Sequence, residues 1–140
     1  MVILGEGKDK NTLQALIEKE NLSEDVLLLG FKENPYPIFK NAKFLVLSSK
    51  FEGFPMVLLE SLKLGTPVVS FDCTSGPNEI IIDKENGLLV EDQNFEAFIE
   101  AISEFSSNES LYNHCKTNAK SSVERFNNTS IMEQWVALLK

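Results

Sequence analysis

Residues 44–71 decide the fold class: Phe44-Leu45-Val46-Leu47-Ser48-Ser49-Lys50-Phe51-Glu52-Gly53-Phe54-Pro55-Met56-Val57-Leu58-Leu59-Glu60-Ser61-Leu62-Lys63-Leu64-Gly65-Thr66-Pro67-Val68-Val69-Ser70-Phe71. An apolar run at 44–47 gives way to a polar loop with one glycine. A helical stretch at 55–64 follows, and Gly65-Thr66 returns the chain to a second apolar run at 67–71. Both runs are continuously apolar rather than alternating, which predicts strands buried on both faces of a parallel sheet. The alternation continues outward. Strands are predicted at 2–4, 26–29 and 87–90, and helices in the stretch carrying Leu13, Leu16 and Ile17 and at 37–42 and 77–82. The expectation is an α/β, Rossmann-like parallel sheet of about five strands with helices on both faces, closed by C-terminal helices. Right-handed crossovers would place every strand-to-helix loop at one sheet edge, where doubly wound folds bind ligands.

Beyond residue 93 only helices are predicted. Asn94 can cap one whose Phe95, Phe98, Ile99, Ile102 and Phe105 form an apolar stripe, read as core. A polar helix is expected over 109–126. Asn127-Asn128-Thr129-Ser130 breaks it, and Ser130 would cap a last helix with Ile131, Trp135 and Leu138.

Composition removes several classes of function. The 140 residues suit one ordinary domain, and 43% hydrophobic with 24% charged residues is globular rather than disordered. With 21 acidic and 13 basic residues the net charge is −8, and no Lys/Arg cluster offers a footprint for nucleic acid or an anionic membrane. An anionic ligand must therefore be held locally. Cys73 and Cys115 form neither a disulfide scaffold nor a metal-site spacing, which points to reduced thiols and a cytoplasmic setting. No apolar run nears the ~20 residues of a membrane span. Met1-Val2-Ile3-Leu4 begins within an apolar strand, and a fragment of a longer protein is expected.

The chemistry concentrates at residues 48–60. This segment leaves a strand and opens a helix, with Pro55 placed in the first helical turn, where its missing N–H costs nothing. The amides of Gly53, Phe54, Met56 and Val57 would point at the ligand edge. A helix N-terminus carries about half a positive charge with unpaired donors and suits a phosphate. Gly53 has no Cβ to keep a ligand from the backbone. Glu52 and Glu60 flank the turn, and a carboxylate accepts two hydrogen bonds at once, as a vicinal diol requires. By spacing alone the plainer account is the stronger: Glu52 a solvated loop residue and Glu60 a surface helix residue. His114, the only histidine, is read as a surface residue without a catalytic role, and Cys73 as a partly buried free thiol.

The motif Glu52-Gly53-Phe54-Pro55, then four residues and Glu60, with Ser61-Leu62-Lys63-Leu64-Gly65-Thr66-Pro67-Val68-Val69 behind it, closely resembles the C-terminal, donor-binding lobe of retaining family 4 glycosyltransferases of the GT-B fold. Val2-Ile3-Leu4-Gly5-Glu6-Gly7, Val26-Leu27-Leu28-Leu29-Gly30-Phe31, Gly76-Pro77-Asn78-Glu79-Ile80-Ile81 and Asn86-Gly87-Leu88-Leu89-Val90 arrive in the family's order. The resemblance implies one domain over 1–140, a nucleotide-sugar donor-binding lobe. The N-terminal acceptor lobe and the first strand-helix unit would precede residue 1. It further implies that Glu52 contacts the donor sugar as the catalytic carboxylate and Glu60 binds the ribose hydroxyls. The amides of turn 53–57 would take the diphosphate, and Gly5, Phe31 and Lys32 would line the nucleotide end. The implied reaction is retaining transfer from a UDP- or GDP-sugar to an acceptor hydroxyl in polysaccharide or glycolipid synthesis. No metal or other cofactor is expected. The acceptor, a sugar or lipid-linked sugar, and any peripheral contact with the inner membrane face would belong to the missing lobe. The isolated chain is expected to be inactive, because the family's upstream Arg and Lys are absent. For the turn at Gly76, helix capping by Gly76, Pro77 and Glu79 is the favoured role. Three alternatives stand beside this reading: a non-catalytic nucleotide or nucleotide-sugar binding module, a phosphoacceptor signalling domain, and a structural interaction domain. The phosphoacceptor reading ranks low because Gly5-Glu6-Gly7 offers a single carboxylate.

Overall fold

The computed structural model describes residues Met1–Leu139. The chain divides into two compact units, Met1–Pro35 and Tyr36–Lys140. In the first, β1 (Val2–Leu4) and β2 (Leu27–Gly30) pair in parallel across α1 (Lys10–Lys19). Leu16 packs less deeply than its position implies, at 50% exposure, whereas Ile17 is buried.

The second unit begins with α2 (Tyr36–Asn41) and holds β3 (Leu45–Leu47), α3 (Met56–Lys63), β4 (Val68–Asp72), α4 (Pro77–Ile80) and β5 (Gly87–Glu91). Strands β3, β4 and β5 form a parallel sheet in that order, in register Leu45↔Val68↔Gly87 through Leu47↔Ser70↔Leu89. Helices α5 (Phe95–Ser107) and α6 (Glu109–Ser122), a 3₁₀ turn (Glu124–Phe126) and α7 (Asn128–Leu138) complete it.

Two apolar clusters hold this unit. One joins Leu58 and Leu62 of α3, Val68, Ile80, Ala119 and Val123. The other joins Val69, Phe71, Leu88, Val90, Phe98, Phe105 and Cys115. Successive residues of β4 therefore feed opposite clusters, Val68 one and Val69 the other. The two-sided burial predicted for a parallel strand is fully realised there. Phe71 stacks on Phe98 with ring centroids 4.1 Å apart. Burying an aromatic side chain of this kind contributes roughly 1.5–3 kcal/mol.

Among the described residues five strands appear, all parallel, but in two ladders rather than one. Of these β4 alone has a partner along both edges, and Leu27 and Val46 of other strands are 48% and 40% exposed. Pro55 is the N-cap of α3 rather than its first helical residue; its ψ of 84° is not helical. The α5 stripe is divided: Phe98 and Phe105 are buried, whereas Phe95 and Ile99 are 58% and 67% exposed. An apolar stripe wider than the face a helix presents to its sheet leaves its margin uncovered. Asn94 does cap α5, its Oδ1 accepting from Ala97 N at 3.1 Å. Asn127, not Ser130, caps α7, because the Asn127 side chain reaches Ser130 N at 2.8 Å.

Candidate functional site

The loop after β3 is set by three neighbours within the second unit. Phe51 bridges in parallel to Thr74, so the loops leaving β3 and β4 continue side by side past the sheet's C-terminal edge. Gly76, the N-cap of α4, lies flush against Pro55; a Cβ there would overlap Pro55 Cδ and stand 3.3 Å from Phe54 Cα. Phe54 meets Phe126 edge to face, centroids 5.9 Å apart at 64°. The turn is thereby placed by backbone pairing and by the packing of Phe54 and Pro55 on their neighbours.

Glu52 and Glu60, on either side of the turn, are both half-buried. Tyr36 donates its hydroxyl to Glu60 Oε1 at 3.4 Å and packs edge-on against Phe39, which ties this carboxylate to α2. Neither glutamate pairs with a cation among the salt bridges of the described residues. Both are thus left able to accept from a ligand's hydroxyl groups.

The turn's amides sort themselves. Among the described residues, those of Gly53, Phe54 and Val57 donate to no backbone carbonyl. Met56 departs from expectation: its N–H donates to Phe54 O at 2.9 Å and is already spent. An inverse γ-turn centred on Pro55, at φ −75° and ψ 84°, takes this donor. Three donors remain at the positive end of an eight-residue helix.

The electrostatic setting is acidic. Burial first, and then the negative charges of Asp92, Glu52 and Asp72, push the Cys73 thiol above its ordinary range. Carboxylates that follow β3 and β5 and one at the end of β4 thus act on one buried thiol. Asp72 Oδ1 is, among the described residues, a buried side-chain oxygen without a hydrogen-bond partner. No three His, Cys, Asp or Glu side chains among the described residues gather closely enough to hold a metal ion.

In the first unit, Gly5 follows β1 at φ 113°, a conformation that favours glycine. Its N–H donates to Gly30 O at 2.9 Å. It lines a shallow cavity of about 270 Å³ with Glu6, Asp9 and Lys10. Phe31, next after β2, is 72% exposed, and Lys32 is exposed beside it. His114, hydrogen-bonded to Glu85 at 2.8 Å, sits on the exposed face of α6, as expected of it.

Sequence reading missed Tyr36 and Phe126. Neither shares a local motif with the turn; both reach it across 24 and 72 residues of chain, respectively. Only Pro37 beside Tyr36, marking a helix start, hinted at an ordered position.

The family model described as glycosyl transferases group 1 matches residues 1–122. The chain is 41% identical over 131 residues to the N-acetylgalactosamine-N,N'-diacetylbacillosaminyl-diphospho-undecaprenol 4-alpha-N-acetylgalactosaminyltransferase of Campylobacter jejuni, covering 94% of this chain and 36% of that protein. It is 31% identical over 137 residues to the poly(ribitol-phosphate) alpha-N-acetylglucosaminyltransferase of Staphylococcus aureus, covering 97% and 28%. A crystal structure of a Staphylococcus aureus TarM mutant with fondaparinux, alpha-GlcNAc-glycerol and UDP superposes with a TM-score of 0.88 at 31% identity, covering 98% of this chain and 28% of that one. The chain thus spans about a third of the length of the relatives it matches.

Proposed function

The chain belongs to the glycosyl transferases group 1 family, and we propose from that premise that it is the donor-binding lobe of a retaining family 4 enzyme. The complete protein transfers a sugar from a nucleotide diphosphate donor to an acceptor hydroxyl. One observation carries the reading: unspent amides at the N-terminus of α3 lie between two half-buried carboxylates, at the C-terminal ends of parallel strands.

Each group then has a task. The N–H groups of Gly53, Phe54 and Val57, with the α3 dipole behind them, hold the diphosphate and stabilise it as it departs with the bond electrons. Glu60, steadied by Tyr36, accepts from the two ribose hydroxyls. Glu52 accepts from the donor sugar and holds its anomeric carbon in line for attack. The family resemblance assigns Gly5, Phe31 and Lys32 to the nucleotide end, Phe31 and Lys32 mainly through their backbone. The acidic rim of Glu52, Asp72 and Asp92 opposes a diphosphate, so tight donor binding needs cations beyond these residues. No metal enters the scheme.

UDP is the first nucleotide to try, since the Staphylococcus aureus structure holds it. We assign the acceptor to a bacterial sugar or lipid-linked sugar; of the two relatives above, one is named for a diphospho-undecaprenol-linked sugar and the other for poly(ribitol-phosphate). The enzyme would act in the cytoplasm, at the inner membrane face. No helix of the described residues is long and apolar enough to cross a membrane.

The test titrates UDP and a UDP-sugar into wild type, Glu60→Gln and Glu52→Gln. Hydrogen bonds to a charged group contribute about 1.5–3 kcal/mol, so Glu60→Gln should weaken UDP binding by at least about tenfold. Glu52→Gln should spare UDP and lower turnover of the complete enzyme. Unchanged UDP affinity in Glu60→Gln removes it from the ribose role; full turnover in Glu52→Gln removes Glu52 from the sugar.

A further inference from the structure

Helix α4 has only four residues, so no further turn satisfies its last carbonyls. Side chains do so instead: Asn86 Nδ2 donates to Ile80 O at 3.1 Å, and Arg125 reaches both of the last two. Arg125 Nη2 donates to Glu79 O at 2.8 Å and to Ile80 O at 3.3 Å. This puts a positive charge at the helix's negative end. The same guanidinium lies 4.8 Å from the centroid of the Phe126 ring, close enough for a cation–π contact. Phe126 in turn presses edge to face on Phe54, within the 53–57 turn.

One cation thus joins two grips on one loop. Through α4 it holds Gly76, the residue flush against Pro55. Through Phe126 it holds Phe54. Phe54 is 40% exposed, so core burial alone does not fix its position, and its ring partner is Phe126. Phe126 is itself anchored on the cluster of Leu58, Leu62 and Val123. Among the described residues, the side-chain hydrogen bonds of Arg125 go to Glu79 O and Ile80 O and not to the residues assigned to the ligand. Arg125 acts on Phe54 and Pro55 only through Phe126 and α4.

We propose that Arg125 and Phe126 are positioning residues that set the 53–57 turn in the geometry required to receive a diphosphate. The inference rests on the donor-site reading above and extends it to residues 125 and 126. A clamp of this kind affects the phosphate end of a ligand and leaves the nucleoside end alone. That difference separates it from a general contribution to stability.

The experiment titrates UDP and, separately, uridine into wild type, R125Q, F126L and F126Y, and measures the urea unfolding midpoint of each. Leucine keeps most of the apolar volume and loses the ring edge; tyrosine restores the ring. R125Q and F126L should weaken UDP about tenfold while uridine changes by less than about twofold, and F126Y should bind UDP nearly as wild type does. Should R125Q fail to fold, the F126L and F126Y pair decides. Unchanged UDP affinity with lowered midpoints overturns the inference and leaves these residues a structural role. Parallel losses for UDP and uridine overturn it equally. Wild type binding UDP no better than uridine would overturn the diphosphate reading, and the positioning role with it.

Discussion

Replacing Gly76 with alanine tests whether the turn before α3 and the start of α4 are one packed unit. Gly76 sits at φ 99° and ψ −45°, outside the regions open to residues with a Cβ. That conformation alone costs of the order of 1–3 kcal/mol in a non-glycine residue. The new methyl would also overlap Pro55 Cδ and crowd Phe54 Cα at 3.3 Å. A proline ring cannot rotate aside, and Phe54 Cα is backbone, so the turn itself must shift. Overpacking of this sort adds typically 1–3 kcal/mol. The loss should total about 2–6 kcal/mol, toward the upper end where the loop holds and the lower end where it yields. Gly53→Ala is the control: its Cβ meets nothing within 4 Å, and its φ is ordinary. Its stability should stay within about 0.5 kcal/mol of wild type or rise slightly, because alanine restricts the unfolded chain. The assay is urea unfolding with UDP titration on both variants. Gly76→Ala should lose both stability and UDP affinity. Gly53→Ala should keep its stability and lose affinity. A Gly76→Ala protein with wild-type stability and affinity would refute the packing argument.

Three further outcomes follow from the second unit's interior. Burial, then Glu85 and Asp83, raise the Cys115 thiol from 9.0 to about 11. The folded state therefore keeps a proton that the unfolded chain gives up above pH 9. This contribution, up to roughly 3 kcal/mol, is complete below pH 9 and lost as pH climbs toward 11. Cys115→Ala should show a shallower alkaline decline in urea unfolding than wild type, and equal slopes would contradict the assignment. Asn86 is fully buried, accepts from Ile82 N at 2.9 Å, and donates to Ile80 O at 3.1 Å and Ser122 Oγ at 2.9 Å. Asn86→Ala should cost about 2–4 kcal/mol in the same assay, because it strands buried partners; a cost below about 1 kcal/mol would mean water replaces the side chain. Gly87 pairs with Val68 across β4 and β5, and a Cβ there would collide with Val68 O and stand 2.8 Å from Val68 Cγ2. Gly87→Ala should destabilise by about 3 kcal/mol, the upper part of the usual overpacking range, read as a lowered unfolding midpoint, since the obstacle includes backbone; a cost under about 1 kcal/mol would show that the strands can part.

The alternation of strands and helices was legible because each element is punctuated by residues with one physical use. Gly65 turns the chain at φ 84°, Asn94 caps α5, and Gly76-Pro77 opens α4. The turn between Glu52 and Glu60 was legible for the same reason: a glycine, a proline and two acids fall within nine residues just after an apolar strand. What escaped depends on distance through space. Periodicity shows that α5 has an apolar stripe but not how much of it a sheet will cover, so Phe95 and Ile99 were misplaced. Asn127 and Ser130 are both good caps, and only the hydrogen bond between them shows which one serves. The Met56 amide was lost to a local bond with Phe54 O that residue type does not announce. Tyr36 and Phe126 meet the site through side-chain contacts that no spacing rule connects.

The seat of the diphosphate is the point on which the account turns, and amide NMR reads it directly. UDP would be added stepwise to isotopically labelled protein, with uridine as the comparison. The account predicts that the Gly53, Phe54 and Val57 N–H resonances move most with UDP and hardly move with uridine, while Met56, already bonded to Phe54 O, moves less. Largest shifts outside residues 52–60, or equal shifts with both compounds, would contradict it.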